Sequence, residues 1–198
     1  IMIEKWLSVQ AARQGSRRFR NAFASCETPL DMAPHVEQHK GPLPEIYRAG
    51  MNELQRLLGL GRDTLYSIGP QFSLSRPLTR NEIAKVRNEL ERAVSEKITD
   101  FEARLGFLGT VVTISPFLGL LGTVWGVTMA FTGMAQAGSP DITAMAPGVS
   151  GALLTTVVAL LVAIPSVIGY NIITGGVRQV TVGMDDFVED FVASLKIN

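Results

Sequence analysis

The side chains of this chain that have chemistry to offer in an apolar setting are hydroxyls, mostly threonines with Ser115, Ser150 and Ser166, together with Tyr170 and Asn171. Thr123 stands among Gly119, Gly122 and Gly126 at helical spacing, and Thr155 and Thr156 stand beside Ala152, Ala159 and Ala163. A hydroxyl donates one hydrogen bond and accepts two, so it can relay a proton or offer oxygen to a hard cation. The ordinary use of such a threonine in a membrane helix is a bond back to a carbonyl one turn earlier, or a bridge between helices. The glycines and alanines around these hydroxyls leave a surface nearly free of side chains. Gly122-xxx-Gly126 is a small-xxx-small pair, which admits a close neighbour. Two such faces can enclose a foreign helix or a narrow wet lumen, and they can equally pack on each other.

The elements that must position these residues are two stretches without any Asp, Glu, Lys, Arg or His, 105–140 and 142–177, each 36 residues long with only Asp141 between them. An apolar helix needs about 20 residues to cross a bilayer. The pair therefore predicts a two-span hairpin in an all-α integral membrane protein. An ionisable group inside a span is the usual pointer to an ion path. Neither stretch has one, so a proton or ion relay through them must borrow its titratable group from a partner. Pro116, Pro147 and Pro165 each remove a backbone bond and are the expected helix kinks, although Pro147 also fits a helix start.

The charges place the flanks. Net charge is zero over 198 residues, but residues 1–105 hold sixteen Lys/Arg and thirteen Asp/Glu, and residues 178–198 hold two basic and four acidic residues. Basic flanks near spans stay in the cytoplasm. The expected layout is a cytoplasmic helical domain over 1–104, a span over 105–136, a turn on the opposite side over 137–146, a span over 147–175 and a cytoplasmic helical tail over 176–198. Ile1-Met2-Ile3 before Glu4-Lys5-Trp6 reads as the end of an earlier span, covering 1–6, with Trp6 at the interface.

Within the charged part, residues 4–25 read as a helix, 26–44 as a proline-rich connection and 45–60 as an amphipathic helix ended by Gly59 and Gly61. Residues 67–77 are a second break. Thr79-Arg80-Asn81-Glu82 is a capping box. Ile83, Val86, Leu90, Val94, Ile98, Phe101 and Leu105 follow at spacings of three or four. That run predicts one helix from 79 to 135, about 85 Å long at 1.5 Å per residue. In the tail, Val180, Met184, Phe187, Phe191 and Leu195 form a stripe. Long helices would thus run from a cytoplasmic bundle through the membrane.

Other chemistries find no support. The lone Cys26 excludes a disulfide framework within the chain. Mixed charge signs give no nucleic-acid footprint. His35 and His39 lie four apart but between prolines, so they read as solvated side chains and no metal is expected. Gly-Leu-Leu-Gly-Thr-Val-Trp-Gly lacks the lysine of a phosphate loop. No nucleophile–base pairing or cofactor fingerprint is visible, so an enzyme is not expected.

At four places the wording resembles the TolQ/ExbB/MotA family of ion-driven motor proteins, most closely its TolQ/ExbB branch. These are 115–126 (SPFLGLLGTVWG), 146–156 (APGVSGALLTT), 163–171 (AIPSVIGYN) and 184–191 (MDDFVEDF). The resemblance implies a three-span subunit whose first span precedes this chain, with the 137–146 turn in the periplasm. It implies a homopentamer in the bacterial inner membrane around two copies of an ExbD/TolR-like single-span protein. That partner's membrane Asp takes up the proton, and through it a TonB/TolA-like protein is moved, which energises outer-membrane transport or envelope integrity. By motif position Thr123 and Thr156 match pore-lining threonines, with Thr155 adjoining. Gly119, Gly122, Gly126, Ala152, Ala159 and Ala163 would pack the partner helix. Where the family often carries Glu in Ala-Pro-Gly-x-x-Glu-Ala-Leu, this chain has Gly151, which leaves sodium coordination by hydroxyls beside proton transport. A flagellar or gliding stator and a passive membrane scaffold are the competing readings.

Overall fold

The computed structural model describes residues 2–26, 28–60, 77–103, 105–137 and 142–196. These form α1 (Met2–Ala24), a 3₁₀ helix η1 (Pro29–Gln38), α2 (Pro42–Leu58), α3 (Arg80–Glu102), α4 (Leu105–Ala137) and α5 (Ile142–Lys196). Gly61, most of the break at 67–77, Arg104 and the centre of the turn at 138–141 lie outside the described residues.

Local chemistry explains most of the boundaries. The capping box forms at α3: Glu82 N–H donates to Thr79 Oγ1 (3.3 Å) and Thr79 N–H donates to Glu82 Oε2 (2.8 Å). Two of the orphan amides at the helix start are met reciprocally. At the end of α2, Gly59 adopts φ 66 and ψ 22. Its N–H donates to Arg56 O (3.3 Å), and Leu60 N–H donates to Gln55 O (3.0 Å). That is the glycine-terminated end in which a left-handed residue lets the chain turn back on the last carbonyls.

Three boundaries differ from expectation. α2 begins at Pro42 rather than near residue 45, because proline at a first helical position gives up an amide that has no partner there anyway. The connection at 26–44 contains η1, which begins with Pro29 and carries Pro34 inside it. The single helix expected from 79 to 135 is interrupted at Ala103, where ψ is 131 although its N–H still donates to Thr99 O (2.9 Å). Alanine is the best helix former, so propensity does not cause this break. It falls where charged sequence gives way to apolar sequence.

The chain divides into two compact units. The first holds Ile3–Ala103 and Ile173–Asn198. Its core is built from one stripe per helix: Val9, Ala12, Phe19 and Phe23 of α1; Leu43, Ile46, Tyr47, Met51 and Leu54 of α2; Val86, Leu90 and Val94 of α3; and Val177, Val180, Met184, Phe187, Phe191 and Leu195 of α5. The aromatic rings meet edge to face. Phe187 lies 5.7 Å from Phe19 and 5.0 Å from Phe23, and Tyr47 lies 5.7 Å from Phe191, between ring centroids. Tyr47 Oη donates to Pro29 O, which ties η1 to this core. His39 packs edge-on against Phe19 at 5.4 Å, while His35 is exposed. At the surface Arg87 of α3 grips Glu189 of α5 through two hydrogen bonds, and Lys97 of α3 pairs with Glu45 of α2.

The second unit holds Arg104–Ile172 with Met2. It contains α4 and the first part of α5, two helices long and apolar enough to cross a membrane. Most of their large side chains are left uncovered by the chain: Phe117 is 65% and Trp125 69% exposed. A soluble domain does not leave a continuous apolar surface of this kind in water. Lipid or further protein must cover it.

Candidate functional site

The site is the seam between α4 and α5 in the second unit. Side chains of zero or one carbon bring the two backbones together. A Cβ placed on Gly119 would lie 2.7 Å from Ala159 Cβ. One on Gly122 would lie 2.4 Å from Thr155 Oγ1, one on Gly126 would lie 2.6 Å from Ala152 Cβ, and one on Gly148 would lie 2.9 Å from Ala130 Cβ. None of these approaches is open to a larger residue. The register is antiparallel, since each step of three or four residues along α4 is matched by a step of three or four back along α5. Ala152 and Ala163 are buried on the seam face of α5, and Ser115 is buried on α4. Within one chain, then, the predicted partner-packing residues of the two helices meet each other.

The hydroxyls are held in a common way. Thr123 Oγ1 donates to Leu120 O (2.8 Å) and Thr155 Oγ1 donates to Ala152 O (2.7 Å), each on its own helix. Thr110, Thr113, Ser115, Thr128 and Ser166 likewise donate to carbonyls one turn back. Thr156 differs. Its Oγ1 donates across the seam to Gly119 O at 3.0 Å, a carbonyl within reach because Gly119 has no side chain in the way. Thr123 and Thr156 are half-buried and Thr155 is exposed at the flank of the seam. A carbonyl oxygen can only accept, so each of these hydroxyls has committed its proton. What remains on each oxygen is acceptor capacity.

Pro116, Pro147 and Pro165 all lie inside helices. Pro147 comes after α5 has begun at Ile142, so it does not mark the helix start. Gly151 faces open space: a Cβ there would meet nothing within 4 Å. Two contacts lie outside the predicted set, Ala130 against Gly148 and Tyr170 over Gly109, the latter 3.4 Å from a Cβ placed on the glycine. Both continue the same antiparallel register beyond the motif residues. Extending the spacing of Gly119, Gly122 and Gly126 along α4 would have found Ala130.

The comparisons with known proteins converge on this hairpin. The profile of the MotA/TolQ/ExbB proton channel family matches residues 38–186. The chain is 27% identical to the Tol-Pal system protein TolQ of Haemophilus influenzae over 198 residues, covering 98% of this chain and 81% of that one. It is 32% identical to TolQ of Pseudomonas aeruginosa, covering 98% of this chain and 80% of that one. It is 41% identical to the biopolymer transport protein ExbB of Salmonella typhimurium over 104 residues, covering 52% of this chain and 43% of that one. Two apolar helices, a seam of small residues and a family profile that includes both agree: the chain belongs to the MotA/TolQ/ExbB proton channel family, on its TolQ/ExbB side, and is a membrane protein of ion-driven transport.

Proposed function

We propose that this chain is the pore-forming subunit of a proton-driven motor in the bacterial inner membrane. Five copies surround two copies of a single-span protein similar to ExbD or TolR, whose membrane Asp carries the proton. The first unit, which includes the end of α5, lies in the cytoplasm, and the connection between α4 and α5 faces the periplasm. The lipid-soluble face of each hairpin meets bilayer and neighbouring copies. Thr123, Thr155 and Thr156 stand along the path of the Asp, while Gly119, Gly122, Gly126, Ala152, Ala159 and Ala163 hold the hairpin narrow enough for the partner helix to reach them. Pro116, Pro147 and Pro165 bend the helices around it.

The observation that carries this reading is the state of the hydroxyls. Each donates to a carbonyl, so the wall offers lone pairs and no protons. A neutral carboxylic acid can donate into such a wall, whereas a carboxylate finds no donor there. The partner's Asp therefore passes when protonated, and proton uptake on one side with release on the other becomes movement. That movement drives an outer-membrane task through a periplasmic linker similar to TonB or TolA. The spans supply no Asp, Glu, Lys, Arg or His of their own.

Two measurements test it. The purified chain, co-expressed with its genomic neighbours, is expected to retain a small single-span protein with a membrane Asp and to conduct protons with it in vesicles. Thr156→Ser is expected to keep that flux and Thr156→Val to abolish it with folding intact. Flux that survives Thr123→Val and Thr156→Val together would show that the hydroxyls only pack.

A further inference from the structure

We propose that the groove between α1 and the stretch of α5 that follows Arg178 binds a phosphate group. This groove lies wholly in the first unit and has a volume of about 470 Å³. Arg13, Ser16, Arg17 and Arg20 of α1 face Gln179 and Asp186 of α5 across it. The three arginines recur at spacings of four and three, so they share one face of α1. Arg20 is partly used: its Nη2 donates to Gly183 O (2.6 Å) and its Nη1 lies 3.5 Å from Asp186 Oδ2. Arg13 and Arg17 make no hydrogen bond or ion pair among the described residues. The groove thus holds three guanidinium groups against one carboxylate.

A second observation points to a ligand. Ser16 is only 8% exposed, and its hydroxyl has no hydrogen-bond partner among the described residues. Other serine and threonine hydroxyls in this chain bond back to a carbonyl on their own helix. A buried polar group left unmet destabilises the fold. Two unpaired guanidinium groups and one unmet hydroxyl around a groove are the complement of a phosphate, whose oxygens accept from all of them.

The position on α5 favours a lipid as the source of that phosphate. The uncharged run ends at Val177 and Arg178 is the first ionisable residue after it. Gln179 to Gly183 follow within about 9 Å along the helix axis at 1.5 Å per residue. The headgroup layer of a bilayer is about 5–7 Å deep on each side. Val182, exposed beside the groove, gives it an apolar edge for the carbon of a glycerol backbone.

The test uses the full chain purified in detergent, with phosphatidylglycerol and inorganic phosphate as separate probes, read by native mass spectrometry and by thermal shift. Arg13→Gln combined with Arg17→Gln is expected to weaken phosphatidylglycerol binding about thirtyfold, as loss of two interfacial cations should. Ser16→Ala is expected to weaken it about fivefold while leaving the unliganded melting temperature unchanged or higher, since its hydroxyl has no bond to lose. Arg18→Gln, outside the groove, is expected to change nothing. Protection by inorganic phosphate without lipid retention would assign the same site to a soluble phosphate. Equal binding of both probes by wild type and the double arginine variant, or an equal loss in Arg18→Gln, would overturn the proposal.

Discussion

The seam between α4 and α5 predicts that one methyl group has opposite effects at two neighbouring glycine sites. In Gly126→Ala the new Cβ lies 2.6 Å from Ala152 Cβ and 3.1 Å from Ala152 Cα. Carbon atoms settle at about 3.5–4.0 Å, so the helices must part by roughly 1 Å. The obstacle includes backbone and cannot rotate away. Overpacking of this kind costs about 1–3 kcal/mol. In Gly151→Ala the Cβ meets nothing within 4 Å, and the helix gains about 1 kcal/mol from replacing glycine. That propensity gain is common to both variants, so their difference isolates the packing cost. Gly122→Ala should also unfold below Gly151→Ala, because the Thr155 hydroxyl can turn aside but its Cβ, 2.9 Å from the new carbon, cannot. Reversible unfolding in mixed detergent micelles gives the ranking, with Gly126→Ala least stable and Gly151→Ala most stable. Adding Ala152→Gly to Gly126→Ala removes the nearest opposing carbon and should restore part of the loss, since the Cα of residue 152 stays at 3.1 Å and the new glycine costs about 1 kcal/mol of helix propensity. If Gly126→Ala and Gly151→Ala unfold alike, or the second substitution restores nothing, the seam is not where these residues are placed.

The other predictions concern the first unit. Phe187 is fully buried among Phe19, Phe23 and Phe191, so Phe187→Ala should cost about 3–5 kcal/mol in the same unfolding measurement. Thr79→Ala removes the α3 cap at a cost of about 1 kcal/mol, and hydrogen exchange should speed up at the Glu82 amide with little change elsewhere. Burial, and then the charges of Asp186 and Glu91, raise the Asp185 carboxyl above its ordinary range. The folded chain therefore holds that proton more tightly than the unfolded chain, and stability falls as pH rises through the raised value. Asp185→Asn should melt like wild type in acid and above it toward neutral pH; parallel melting curves across that range would dismiss the effect.

What could be read from the sequence was whatever residue type alone decides. Thr79 and Glu82 at the right spacing can make a capping box whatever surrounds them, and they do. The stripe from Val180 to Leu195 has a helical period and nothing polar within it, so its burial followed from composition. Ala103 carries no such mark: it is neither proline nor glycine, and alanine favours the helix that ends there. The prolines misled in the opposite direction. Pro29 and Pro42 read as breakers, yet each stands at a helix start, where a missing amide costs nothing. The glycines of α4 announced close packing but not its object, because a small residue is complementary to any near surface. The direction of each hydroxyl was hidden for a related reason. Thr155 and Thr156 are identical in type and adjacent in sequence, yet one bonds within its helix and the other crosses the seam. Only the position of Gly119 opposite Thr156 separates them.

On the proposed function this difference between neighbours has an energetic consequence. A charge moved into the apolar layer without partners costs several kcal/mol even after relaxation. A wall able to turn its hydroxyl protons inward would repay part of that cost and let an ionised carboxylate rest inside. Here the Thr156 proton helps hold α4 to α5, and freeing it would break a bond that keeps the hairpin closed. The Thr123 and Thr155 protons are held by carbonyls on their own helices. Gly151 adds no ionisable group at a position where a side chain would have room. The wall is therefore poor at solvating an anion and adequate for a neutral acid, and that asymmetry is what a proton-gated step requires. A channel for bare ions would need a carboxylate beside its oxygen ligands, and on this reading the wall offers oxygen lone pairs with no carboxylate of its own.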